Sequence, residues 1–586
     1  MSLFFSSGDE MEEEGDDSAS LSLKMTTLPI IKRKDPDITF LIIRIPNSVD
    51  GTEAGRYVGE NTYLERLTIC KDVYRSHRSL SETQQMHKEF FSGIARNRSI
   101  KAMTLHGLFL GGSITTLSPF FENNSSLQTL EITNCNFGYE YESISALALA
   151  LSRRCNKKSL KGIKFYGNSI GDEPAAELVR ALHGYEHLTY LSLCDNRVGD
   201  RGCAALRDFL LSPNTNLEVL LFDSNYIDNQ GIARLTNALT NIKRLSLGNN
   251  RRITPAGWQV FFACLQTPNT LIEDLDISSN NIDKRGLTAL RDCMANNTTL
   301  KVLKMCGNRL LNIHLPAMNI MTSAGWPAAA RAFFPCLQNT QSSLVHLDLS
   351  YTRLGENGLL ALGNALSHNS TLTTLDLSSI RAPAIGWNRF FTCFQSPSIG
   401  IRELYLKGSN MNITDERIAV LAQDLANNET LETLDLTDNI SVTYTGWGHL
   451  HRLLCDQSSI YSICASNHTL RSFGSTIPDD SYPMLSPLLC LNQLGDKKET
   501  QREKILYYYF RDSGSLNLQK FLAMKLKVLP HAISWIGRGS ICNQFGPHFP
   551  MNGSNTDTTL LYQLLRIIPS LFEGTTSKAC GTKRKR

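Results

Sequence analysis

The chain is 586 residues long, 42% hydrophobic and 19% charged, more than one compact core needs, so several domains or one repeat array are expected. A net charge of +4 is too small to argue by itself for nucleic acid as a partner. No run approaches the ~18 consecutive apolar residues of a membrane span.

Residues 1–35 open with an acidic run (Asp9, Glu10, Glu12, Glu13, Glu14, Asp16, Asp17) and carry little apolar pattern, so a disordered tail is expected. They show no basic-then-apolar leader, and the 15 cysteines form no close C-x-x-C pairs. Together these read as reduced thiols in a cytoplasmic protein, with the nucleus as the other option. Phe40–Ile45 predicts a strand ending before Pro46, suited to capping the first repeat of an array.

From there one pattern recurs, L-x-x-L-x-L-x-x-N. Weaker copies open at Leu64, Ile100, Leu127 and Leu160. Full copies open at Leu188, Leu217, Ile242, Ile272 and Leu300, closing on Asn196, Asn225, Asn250, Asn280 and Asn308. Steps of 29, 25, 30 and 28 residues separate them. After a step of 44 the copies resume at Leu344, Leu372, Ile401 and Leu431, with Thr352 and Ile380 in place of Asn in the first two. A partial copy opens at Leu470. The long step places about fifteen extra residues within 309–343, including Asn312, His314, Pro316 and Met318. Such a loop is either neutral decoration or a binding element.

Each period has a helical second half. Leu287, Leu290 and Met294 fall at i, i+3 and i+7, as do Cys203, Leu206 and Leu210. In the first half the alternating leucines point inward and the residues between them outward. The closing Asn is expected to bond backbone where the chain leaves the strand, forming a ladder from coil to coil. Strands stack about 4.8 Å apart and helices about 8–10 Å apart, so such a stack bends with its strands on the inside.

A period of 28–29 residues, a strand followed by a full helix, and the helix start Gly286-Leu287-x-x-Leu290 resemble the ribonuclease-inhibitor class of leucine-rich repeats. The resemblance covers roughly residues 60–475. The class also occurs in Ran GTPase-activating proteins and in the sensor ends of NOD-like receptors, and the chain is similar to the expanded sets of such proteins in microalgae. It implies an α/β fold: a curved solenoid, or horseshoe, with a concave parallel sheet and convex helices; beyond the repeats the sequence itself reads as a small helical C-terminal cap. The expected organisation is a tail at 1–35, the solenoid at 36–475, a linker at 476–500, helices at 501–575 and a basic tail at 576–586. The helices are read as a cap, with a separate binding module as the alternative. Lys583–Arg586 is either a solvated end or a nuclear import signal.

Trp258, Trp326, Trp387 and Trp447 each follow glycine and recur in alternate repeats. Trp387, Phe390 and Phe394 keep the helical register, which predicts core packing over an aromatic ligand stripe. Cys203, Cys264, Cys293, Cys336 and Cys393 fall in predicted helices and read as small buried hydrophobes rather than metal or redox groups.

The sequence lacks G-x-x-x-x-G-K-[ST], H-E-x-x-H, G-x-S-x-G and zinc-type Cys/His spacing. No enzyme activity, catalytic residue, cofactor or metal is expected. The outward strand positions supply the candidate site: Asp274, Asp276, His346, Asp348, Asp376, Tyr405 and Asp435. Aligned carboxylates on a sheet attract a basic protein partner, although Asp in L-D-L also merely keeps a strand soluble. The expected function is a protein-binding scaffold, with a Ran GTPase-activating-like regulator as the alternative. Neither a membrane nor nucleic acid is the expected partner.

Overall fold

The computed structural model describes residues 39–45, 51–71, 80–137, 141–266, 270–308, 333–339, 342–380, 382–408, 411–474 and 484–510. The chain divides into two compact units, Met1–Asn281 and Ile282–Arg586.

In the first unit strands and helices alternate. They run β1 (Phe40–Ile45), α1 (Gly51–Glu60), β2 (Arg66–Lys71), α2 (Leu80–Ile94), β3 (Ala102–His106), α3 (Ser118–Asn123), β4 (Thr129–Thr133), α4 (Tyr141–Ser152), β5 (Gly162–Tyr166) and α5 (Asp172–Ala181). Then come β6 (Tyr190–Ser192), α6 (Asp200–Leu210), β7 (Val219–Leu221), α7 (Asn229–Thr236), β8 (Arg244–Ser246), α8 (Pro255–Leu265) and β9 (Asp274–Asp276). Each strand pairs in parallel with the next, from β1 through β9. The cap strand expected at Phe40–Ile45 is therefore β1, the first rung.

The second unit begins with α9 (Lys284–Asn296) and β10 (Val302–Lys304). Residues 309–332 lie outside the described residues, and with them most of the insertion and Trp326. The chain returns as a short 3-10 turn at Phe334–Gln338. It continues through β11 (His346–Asp348), α10 (Gly355–Leu366), β12 (Thr374–Asp376), α11 (Ala384–Phe391), β13 (Glu403–Tyr405), α12 (Asp415–Asp424), β14 (Thr433–Asp435) and α13 (Tyr444–Leu454). Strands β10 to β14 are again parallel neighbours. The partial copy at Leu470 adds one bridge, Ser472 to Thr433. Three more helices follow: α14 (Ile460–Ala465), α15 (Leu485–Asn492) and α16 (Lys497–Phe510).

Two helices therefore begin inside the span read as a linker. Pro478, Pro483 and Pro487 give that span the look of a break, but Pro487 sits in the first turn of α15, where a missing N–H costs little. Residues 475–483, the acidic and basic tails, and the helices expected after Phe510 lie outside the described residues.

The repeat holds together through neighbours. In the first unit Asn196 Nδ2 donates to Phe165 O (2.7 Å), Asn225 Nδ2 to Leu193 O (2.9 Å) and Asn250 Nδ2 to Phe222 O (3.0 Å). Their Oδ1 atoms accept backward: Asn196 N–H reaches Asn225 Oδ1 and Asn225 N–H reaches Asn250 Oδ1, both at 3.2 Å. The residue before each of these asparagines is left-handed: Asp195, Ser224 and Asn249 have φ of 55°, 55° and 54°. Where Asn is replaced in the second unit, Thr352 Oγ1 still donates to Leu349 O, and Ile380 is simply buried.

A second ladder follows several of the helices. Asn97, Asn124, Asn369, Asn428 and Asn467 are all buried. The Oδ1 of each accepts from the two N–H groups entering the next strand, as Asn428 does from Thr430 and Leu431 (3.1 and 2.8 Å). Their Nδ2 groups reach back one repeat, Asn428 to Phe394 O and Asn97 to Val58 O. The helices are capped sideways as well. Asp172, first residue of α5, accepts from Gly199 and Gly202 N–H at the start of α6, each at 2.8 Å.

The tryptophans are core residues. Trp258 and Trp387 are 0% exposed and Trp447 5%. The Trp258 and Trp387 rings stack on the phenylalanine one turn on, Phe262 and Phe391, with centroids 5.7 and 5.8 Å apart. The preceding glycine has a steric cause: a Cβ on Gly386 would lie 3.0 Å from Glu356 Cα in α10. Cys203, Cys293 and Cys393 are buried, and Cys264 and Cys336 half-buried, all as free thiols. Burial pushes the Cys336 thiol up to about 12, so it packs as a neutral group.

Candidate functional site

Strand register decides which outward residues share a row. In β10 to β14 the central leucines are buried and nearly all their flanking residues half-exposed, the alternation of a sheet with one solvated face. One row runs Val302, His346, Thr374, Glu403, Thr433. The next runs Lys304, Asp348, Asp376, Tyr405, Asp435. Neighbours in a row sit about 4.8 Å apart.

The seven residues expected at the site thus separate. His346, Asp348, Asp376, Tyr405 and Asp435 occupy the two rows of the second unit, the last four on consecutive strands. Asp274 and Asp276 belong to β9 of the first unit. There Asp274 Oδ2 is already paired with Arg244 Nε at 2.9 Å.

Local bonding explains why so many copies read L-D-L-[ST]. Asp348 Oδ1 accepts from Ser350 N–H (2.8 Å), Asp376 from Ser378 (2.7 Å), Asp435 from Thr437 (2.9 Å) and Asp276 from Ser278 (2.9 Å). Each carboxylate closes the turn that ends its own strand, leaving its second oxygen uncommitted to that turn. Asp435 is 6% exposed, so it contributes field rather than contact area.

Asp348 and Asp376 stay half-buried side by side. Burial pushes the Asp348 carboxyl up, the Ser350 bonds oppose this, and the Asp376 carboxylate adds to the rise. Tyr405 donates to Glu403 Oε2 (3.2 Å), which also accepts from Thr374 Oγ1 (3.3 Å). Burial and then Glu403 push the Tyr405 phenol up.

Two members were missed in the sequence. Lys304 fills the outward slot of β10 beside Asp348, and the pattern L-K-M showed that slot without marking its charge as a terminus of the row. Asp223 follows β7 and was passed over because it lies beyond the last leucine position of its strand. Its carboxylate accepts from Gly248 N–H (2.6 Å), from the Ser246 hydroxyl and from Cys194 Sγ (3.2 Å), and burial pushes it up. Both Asp223 oxygens are engaged, and burial raises the Cys194 thiol, which makes this cluster a structural one. Among the described residues no group of His, Cys, Asp and Glu is placed to hold a metal ion, and no helix is long and apolar enough to cross a membrane.

Comparison with known proteins agrees with the geometry. A family model described as Leucine Rich repeat matches residues 186–206, 269–290 and 340–363. The human NACHT, LRR and PYD domains-containing protein 14 is 26% identical over 256 residues, covering 43% of this chain and 22% of that protein. The Rho GTPase-activating protein gacW of Dictyostelium discoideum is 22% identical over 431 residues, 70% of this chain and 35% of its own. The ribonuclease inhibitor of Sus scrofa is 28% identical over 152 residues, 25% of this chain and 33% of its own. The match thus spans about a third or less of each of these relatives. The two ladders, the strand-helix period and these matches converge: the chain carries leucine-rich repeats, and they are similar to those of the ribonuclease-inhibitor class.

Proposed function

We propose that the chain is a protein-binding scaffold whose second unit receives a cationic group of its partner on the row Asp348–Asp376–Tyr405. The observation that supports this is the pair of adjacent half-buried carboxylates on a solvated sheet face. Asp348 is held there at a cost. Its carboxyl is raised, so its stabilising contribution is full below the ordinary carboxylate range and is lost as pH rises through the folded value. At neutral pH an incoming lysine or arginine offsets that cost, and Tyr405 supplies a rigid aromatic edge beside it. Asp435 adds negative potential at the end of the row beside Tyr405, and Asp276 supplies a carboxylate in the first unit, where Asp274 is already paired with Arg244. His346 borders Asp348 on the neighbouring row.

The reading needs no cofactor, metal or catalytic residue. It places the chain in a reducing compartment, the cytoplasm or nucleus, in keeping with the free thiols at every described cysteine. Regulation of a small GTPase is the second reading, favoured by the relative named as a Rho GTPase-activating protein.

Replacing both carboxylates tests the proposal, as Asp348→Lys with Asp376→Lys. Capture of the partner from native lysate should be lost while the melting temperature falls only modestly, by the loss of the two turn-closing bonds. Unchanged capture rejects this face. The same wild-type preparation, tested for accelerated single-turnover GTP hydrolysis, decides the second reading; no acceleration removes it.

A further inference from the structure

The turns that follow the strands of the first unit carry a feature the acidic row does not use. After each ladder asparagine comes one exposed position and then a buried aliphatic: Asn196-Arg197-Val198, Asn225-Tyr226-Ile227 and, with one extra residue, Asn250-Arg251-Arg252-Ile253. Asn bonding on one side and the buried Val198, Ile227 and Ile253 on the other fix the backbone between them. Tyr226 N–H also donates to Val198 O at 2.8 Å. The intervening side chains are therefore presented in a row, one repeat apart.

Arg197, Arg251 and Arg252 are exposed, and none of the three guanidinium groups makes an ion pair or side-chain hydrogen bond among the described residues. Other arginines of the unit are paired, Arg201 with Glu173, Arg234 with Asp200 and Arg244 with Asp274. The Arg252 guanidinium lies over the Tyr226 ring, 4.1 Å from its centroid. That stack orders the side chain while its N–H edge stays free. Of the nearby carboxylates, Asp228 is turned away to cap α7 through Gln230 and Gly231 N–H, and Asp195 is the one left exposed beside Arg197.

We infer that this rim, Arg197–Tyr226–Arg251–Arg252, docks an acidic, Asp/Glu-rich segment of a protein. The charges are spread across three repeats, about 10 Å at strand spacing. Carboxylates distributed along an extended segment match that span better than one compact anion does. The rim is separate in sequence and chemistry from the acidic row of the second unit, so either can fail without the other.

The test is fluorescence anisotropy of the full chain with a labelled glutamate-rich dodecapeptide, against a labelled uridine dodecamer. The expected result is salt-sensitive peptide binding that weakens at least about tenfold in the combined Arg197→Glu, Arg251→Glu, Arg252→Glu variant, with an unchanged melting temperature. The milder Arg197→Gln, Arg251→Gln, Arg252→Gln variant serves if the first misfolds. Peptide binding that is absent, or that survives in the variants, overturns the inference. So does tighter binding of the uridine dodecamer that is lost in the same variants.

Discussion

At the scale of single residues the chain spends its polar side chains on its own backbone. Asn, Asp and Ser recur where a helix meets a strand or a strand meets a turn, and each satisfies N–H or C=O groups that would otherwise be buried unpaired. One of the buried tryptophans does the same. Trp387 fills the space behind Gly386 and donates its indole N–H to Met411 O at 2.9 Å. Trp387→Ala should therefore destabilise by about 3–5 kcal/mol, measured by chemical denaturation. A stably folded variant that had merely lost a ligand would instead support the aromatic-stripe reading that burial argues against.

At the scale of elements, the strands and most helices were legible because their periods differ, two against 3.6. The rows were only half legible. The sequence shows that Asp348 and Asp376 face outward, but only register shows that they are neighbours and that Asp274 is already paired. The fate of the segment after residue 475 was hidden because its contacts are long-range. Helix α16 buries Lys504, whose Nζ donates to Leu454 O (2.7 Å), Asn467 O (2.8 Å) and His468 Nδ1 (3.1 Å). His468 in turn donates Nε2–H to Cys464 O, and burial, then Lys504, lowers its pKa to about 4, keeping it a neutral acceptor. Burial lowers the Lys504 pKa to about 7. The unfolded chain then binds a proton that the folded one has lost above that value, so this group favours folding more as pH rises toward 10. Against a Lys504→Met variant, the wild type should gain stability on the order of 1 kcal/mol per pH unit from pH 7 to 9. Parallel pH profiles would show that α16 does not hold this lysine buried.

At the scale of the whole molecule, bonding that always runs to the next repeat makes stability a sum over neighbours. Damage should spread outward from its origin. Leu191 is 0% exposed at the middle of β6, and Leu191→Asp should remove amide exchange protection first in β5 to β7. Strands β12 to β14, in the other compact unit, should keep theirs. Simultaneous loss throughout the chain would mean one cooperative body in place of additive repeats.

The second asparagine ladder carries a consequence for how this chain can be made. Asn97, Asn124, Asn369, Asn428 and Asn467 each open an Asn-x-Ser/Thr triplet, the acceptor signal for N-linked sugar. In the folded chain their amide nitrogens are buried and committed to carbonyls of the preceding repeat. A glycan on any of them would take a donor out of the ladder and force a bulky sugar between two coils. The signal that marks a surface loop in a secreted protein is here an internal fastening. An expression host that glycosylates the nascent chain would yield molecules unable to close their repeats.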